Sequence, residues 1–288
     1  MIIGATTWLW VSPLTTAAAE DLIPRIARLG FGAVELPLED PALLDARRIR
    51  QLLADHNLKG SACGAFGPGR DLTHPDPKVR RSTLDYIERC LDFAAVIGAP
   101  AVCGPLYSEV GKRRYLPAAQ RHAEWSLAVE GVHAACVTAA ARGKRIAIEP
   151  INRFETDLVN SVADGVRFAR DVAHPAAGLM IDSFHLTLEE DNLEAAVRAA
   201  GDLLVNVQVS ENQRGVPGTG LTDWCALARG LAAVNYTGTI IIESFTPENR
   251  DLAAAVCIWK RRVPDQDTFA REGLAFLQRT FAPAPLHE

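Results

Sequence analysis

The segment LLVNVQVSENQRGVPGTG, residues 203–220, opens as a strand and breaks into a polar loop. Val205, Val207 and Val209 alternate with Asn206, Gln208 and Ser210, so one face of the strand is apolar and the other polar. An outer layer of helices takes the valines. Gln208 is then expected to point inward, at the end of the strand where a closed parallel sheet keeps its chemistry.

Seven more runs of this kind punctuate the chain: MIIGATTW, GAVELPL, LKGSACGAF, AVCGPL, RIAIEP, GLMIDSF and GTIIIESF. They are rich in Val, Ile and Phe and end in Gly, Pro or polar residues. Between them lie amphipathic stretches, among them LIPRIARLG, VRRSTLDYIERCLDFAAVIG and RHAEWSLAVEGVHAACVTAAARG. These carry apolar residues at three- and four-residue steps and close on Gly. Eight strands alternating with helices predict an α/β fold, a single (β/α)8 TIM barrel. The rival is a doubly wound open sheet, but no GxGxxG follows the first strand, which weakens its nucleotide-binding form. A chain of 288 residues is of the usual size for one barrel. Residues 1–288 are therefore expected to form one domain, with APAPLHE at the end, from about 281, as a frayed tail.

The formal charge of -5 leaves no basic excess to displace counterions from a nucleic acid, so none is expected as a partner. No stretch is long and apolar enough to span a bilayer. The opening MIIGATTWLWVSPLTTAAAE lacks the basic start of a secretion signal and reads as a first strand plus loop. Six cysteines without a CxxC pair are expected to be reduced and in the core, and the cytoplasm is the expected compartment.

Four successive late strands end in a residue able to hold a cation: Glu149, Asp182, Gln208 and Glu243. With Ile146 and Ile148 outward, Glu149 faces in, and with Ile240 and Ile242 outward, so does Glu243. Three carboxylates crowding one mouth repel each other unless protonated or neutralised. A divalent cation is the simplest remedy. Trp8, Trp10, Cys63, Phe66 and Phe245 lie at or near strand ends and could wall a small polyol site. Trp10, Cys63 and Phe245 are taken as substrate contacts.

EPINRFETDLVNS, IDSFHLTLEE, SENQRGVPGTG and ESF, with FGPGRDLTHPDP and VCGPLYS upstream, together resemble the D-tagatose/D-psicose 3-epimerase group of the xylose isomerase-like barrels. The resemblance runs from about residue 1 to about 280. It implies a divalent ion, Mn2+ first with Mg2+ or Co2+ as alternatives, held by Glu149, Asp182, Gln208 and Glu243. The group has His where this chain has Gln208. An amide oxygen is a neutral, hard donor that still ligates, and it shifts preference toward Mn2+ or Mg2+. The resemblance also implies sugar contacts at Glu155, His185 and Arg214, and a homodimer or homotetramer. The reaction it implies is epimerisation of a free ketose at C3 through an enediolate, with Glu149 and Glu243 as acid and base. Two alternatives are carried: an isomerase or lyase/decarboxylase acting on an oxidised sugar or sugar acid, and a catalytically silent sugar-binding barrel. An abasic-site endonuclease, also found in the superfamily, needs a histidine-rich site, and only His185 of the seven histidines falls near the inferred mouth.

Overall fold

The computed structural model describes residues 1–282, so the expected tail lies almost wholly outside them. Eight parallel strands close into a barrel: β1 (Ile2–Thr6), β2 (Ala33–Leu38), β3 (Lys59–Gly64), β4 (Ala101–Gly104), β5 (Arg145–Ile148), β6 (Ala177–Asp182), β7 (Leu204–Val209) and β8 (Thr239–Ile242). Each pairs with the next, and β1 pairs with β8 to seal the sheet. All eight fall on the runs read from the sequence. Because parallel neighbours need a crossover, helices fill the connections. In chain order these are α1 (Thr16–Arg28), α2 (Ala46–Asp55), α3 (Pro77–Ile97), α4 (Ala118–Ala140), α5 (Val162–Val172), α6 (Ser183–Glu189), α7 (Leu193–Ala200), α8 (Trp224–Ala233), α9 (Arg250–Ala255) and α10 (Gln266–Thr280).

Local chemistry sets the helix ends. Asp76 caps α3 with Pro77 at its first position, and Gly98 ends it at φ 79°. Ser161 and Asp164 form a reciprocal capping box on α5. The opening twenty residues depart from the expected strand plus loop, because Thr15 caps a helix that starts at Thr16.

The core has two layers. Ile146, Ile148, Val207, Val209, Ile240 and Ile242 pack outward in the main cluster against helix residues such as Ile26, Ile87 and Leu227. Ala101, Cys103, Ala147 and Met180, on the opposite strand faces, fill the barrel interior. Val205 departs from the expected alternation. The β6–β7 register shifts at Leu179/Met180, and Val205 packs against the interior cluster instead of the helices. Gly178 permits this, since a Cβ there would meet Val205 Cγ2 at 2.4 Å. The six cysteines are free, but only four are buried, and Cys225 and Cys257 are exposed rather than in the core.

Candidate active site

The strands deliver four polar groups to one end of the barrel. Glu149 follows β5 and its N–H continues the ladder to Gly104 O at 3.0 Å. Asp182 ends β6, and its Oδ1 caps α6 by accepting from the Phe184 N–H at 3.0 Å. Gln208 is the register partner of Asp182 on β7. Glu243 follows β8, its N–H donating to Val209 O at 2.9 Å. All four are buried.

Arg214 joins them from the loop after β7. Its Nη1 lies 2.5 Å from Asp182 Oδ2 and 2.6 Å from Glu243 Oε2. Its guanidinium also stacks 4.0 Å from the centre of the Phe184 ring. The residue sits at φ 57°, where Arg is uncommon. Its N–H donates to Glu211 O at 2.8 Å, and its carbonyl accepts from Ser244 Oγ at 2.7 Å. Glu211 in turn accepts from the Gly218 N–H, the Trp224 indole and the Thr222 N–H. Burial opposes its charge, but these donors outweigh that and hold its carboxyl below the ordinary range. The loop is thus folded around one carboxylate so that Arg214 reaches the strand ends.

The sequence reading assigned neutralisation of the acids to a metal alone. The structure shows that Arg214 does part of it. The remaining charge is still excessive. Burial, then Glu243 and Asp182, push Glu149 well above the ordinary carboxylate range. Burial is also the main cause that raises Glu243 to about 8, against the pull of Arg214. His185 completes the cluster. Its Nδ1 accepts from the Asn152 backbone N–H at 3.1 Å, so the neutral ring carries its proton on Nε2. That Nε2 lies 3.5 Å from Glu149 Oε1 and 3.9 Å from Asp182 Oδ2. Burial and then Arg214 keep the ring from protonating.

Glu149, Asp182 and His185 each offer a ligand atom, all within 4.8 Å of one another. The tautomer argues that His185 presents a proton rather than a lone pair. Gln208 supplies a different signal. Its Nε2 donates to Glu35 Oε1 at 2.5 Å, and its Oε1 is buried with no partner. A buried carbonyl oxygen without a donor is costly unless something electropositive is to meet it. The carboxyls of Glu149, Asp182 and Glu243 and one unpaired amide oxygen form a hard-oxygen donor set, and they fit a divalent ion of the Mn2+ or Mg2+ kind.

Beside this cluster lies a cavity of about 510 Å3. Glu149, Glu155, His185, Arg214 and Glu243 line it on one side, and Trp8, Cys63, Phe66 and Phe245 are among its apolar walls. Trp8 packs against Phe245 with ring centres 5.5 Å apart. Glu155 accepts from Asn152 Nδ2 at 2.9 Å, which links it to His185 through the same asparagine. Trp10, taken from the sequence as a substrate contact, does not line this cavity. Its indole donates to Asp267 Oδ1 on α10 at 2.9 Å, and Trp8 stands at the wall instead. Glu35 and Glu211 were not singled out in the sequence. The mid-strand carboxyl in GAVELPL was the only available sign of Glu35.

The family model for the xylose isomerase-like TIM barrel matches residues 23–280. An L-ribulose 3-epimerase of Methylomonas sp. (strain DH-1) is 29% identical over 280 residues, covering 96% of this chain and 97% of that protein. A ketose 3-epimerase of Arthrobacter globiformis is 27% identical over 280 residues, covering 96% of each. The crystal structure of a D-allulose 3-epimerase from Methylomonas sp. in complex with D-allulose superposes with a TM-score of 0.91 at 29% identity, covering 97% of each chain.

Proposed function

The chain belongs to the xylose isomerase-like TIM barrel family, and from that footing we propose that it is a divalent-metal-dependent epimerase of free ketoses at C3. One observation carries the reading. Glu149, Asp182 and Glu243 share a single buried cluster with His185 and Arg214, next to a Gln208 amide oxygen that has no partner. The relatives' activities agree with it.

Glu149, Asp182, Gln208 and Glu243 would hold the ion. When bound, such an ion supplies Lewis acidity toward a carbonyl and favours the ionised carboxylates. The chain's own residues do the rest. Glu149 and Glu243 stand on strands three steps apart around the barrel, so they approach a sugar from different sides. One removes the C3 proton and the other returns a proton to the opposite face. Without the ion, burial holds both high, Glu243 near 8, and the ion's charge would draw them back toward the ionised form that a base needs. His185 donates its Nε2 proton to a sugar oxygen. Arg214 forks onto oxygens that gain charge as the enediolate forms. Glu155 orients hydroxyls. Cys63, Phe245 and Trp8 exclude water from the wall of the cavity.

The reading takes 1–288 as one domain, the cytoplasm as its compartment, and a homodimer or homotetramer as its assembly. Among the described residues no helix is long and apolar enough to cross a membrane.

The test is the purified protein with Mn2+ and a panel of ketoses in deuterated water. The expected result is the C3 epimer, carrying one deuteron at C3. No epimer, with turnover of keto-sugar acids or 3-keto-glycosides, would favour an isomerase or lyase. No turnover and no bound metal would favour a silent sugar-binding barrel.

A further inference from the structure

Glu35 has no part in the chemistry above, yet it lies fully buried inside the barrel. It stands on β2, opposite Thr6 on β1 and Ser61 on β3. Its carboxylate is filled by three donors, one from neighbouring β3 and two from β7 across the lumen. Gln208 Nε2 meets Oε1 at 2.5 Å, while Ser61 Oγ and Asn206 Nδ2 each meet Oε2 at 3.2 Å. Asn206 is itself oriented, since its Oδ1 accepts from Thr239 Oγ1 at 2.8 Å.

A glutamine at this position has a problem that a histidine lacks. Its two ends are nearly the same shape but opposite in polarity, and only one of them can face a cation. In its ionised form, which prevails above about pH 7, Glu35 accepts and cannot donate. By taking the NH2 group, Glu35 leaves the amide only one orientation, with the oxygen turned away from it. That oxygen is the one with no partner. An anion hydrogen-bonded to the NH2 also pushes electron density toward the oxygen and makes it the stronger donor, as carboxylates do behind metal-bound histidines.

We propose that Glu35 is a positioning residue for the metal site: it locks the Gln208 amide so that its oxygen, not its nitrogen, faces the ion. This rests on the metal reading above and adds to it the reason why an amide can serve there.

The test is Mn2+ titration calorimetry on the full-length protein at about pH 8, where Glu35 is ionised, with the melting temperature recorded with and without metal. In Glu35→Gln the residue can donate or accept, so the Gln208 amide loses its bias. Mn2+ affinity is expected to fall roughly 10- to 100-fold. In the double variant Glu35→Gln, Gln208→Glu the hydrogen bond is reversed, with residue 35 donating, and an oxygen is again guaranteed at 208. Affinity is expected to return to the wild-type level or beyond. A folded Glu35→Gln protein that binds Mn2+ as tightly as wild type overturns the proposal. So does a folded double variant no better than the single one. Should the variants not fold, the wild type still decides. With Mg2+ bound, the Gln208 side-chain NH2 should show one downfield, exchange-protected proton by 15N NMR, and its absence overturns the proposal. Wild type that binds no Mn2+ removes the metal reading itself, and this inference with it. Wild-type binding that is unmoved by Glu35→Gln removes the inference alone.

Discussion

At Arg214 two roles meet in one guanidinium. It reaches the cavity as a sugar contact should, and it bridges Asp182 and Glu243 as a counterion. Removing it strands two buried carboxylates, and breaking such a pair typically costs about 3–5 kcal/mol. Arg214→Met is therefore expected to lower the stability of metal-free protein by that order in urea unfolding, with Mn2+ restoring most of it. An Mn2+-insensitive loss would contradict the shared site. The pH dependence follows from the same acids. Glu35 near 7, Glu243 near 8 and Glu149, held well above the ordinary carboxylate range, keep protons that the unfolded chain has released near 4.5. The stability of metal-free protein should therefore fall as pH rises from about 5 to 8. His185 opposes this below its ordinary value of 6.5, because the folded ring refuses a proton that the unfolded chain binds. Three acids outweigh one imidazole, and the decline is unopposed from pH 7 to 8. Urea midpoints across this range check it, and a rise from pH 7 to 8 would contradict it. Four strand-end residues were legible in the sequence because period-two alternation names the inward face. Glu35 was not, because its partner Gln208 lies 173 positions away and meets it only across the closed lumen.

At the scale of elements, the cavity is framed by loops that hold each other. Lys112, after β4, pairs with Asp71 at 2.9 Å and Glu124 at 3.3 Å and touches Thr73. Arg114 joins Glu124 to Asp157, and the Gly111 N–H donates to Glu155 O at 2.7 Å. Through these contacts the loops after β3, β4 and β5 form one frame around the cavity. Lys112→Met, which keeps the stem but removes the charge, is expected to raise KM several-fold for the epimerised ketose while changing kcat less. Steady-state kinetics decide, and an effect on kcat alone would contradict the framing role. The strands and three of the helices could be placed from periodicity and glycine stops. The Val205 bulge could not, because nothing local marks it: it depends on Gly178 leaving room on the neighbouring strand. Trp10 misled for a similar reason. Two tryptophans at one strand end look alike, and only the packing of α10 shows which one turns away.

The whole molecule puts a buried, acid-rich centre inside a chain of formal charge -5, and this arrangement invites a cation more than an anion. The barrel itself was the most legible level, since eight strand–helix alternations leave few other closed solutions. Assembly was the least, since composition and periodicity say nothing of it. Tyr115, Leu221 and Trp259, on loops after β4, β7 and β8, expose most of their apolar surface. The homodimer or homotetramer reading predicts a mass of two or four times 31.1 kDa by light scattering, and a monomer at all concentrations would contradict it.

The most direct measurement is anomalous diffraction at the manganese edge from crystals grown with Mn2+. The expected result is one strong peak with oxygens of Glu149, Asp182, Gln208 and Glu243 within roughly 2–2.5 Å of it, and Arg214 swung off Asp182 and Glu243 toward the cavity. No peak at saturating Mn2+, or a peak that Gln208 faces with its nitrogen or not at all, would contradict the account.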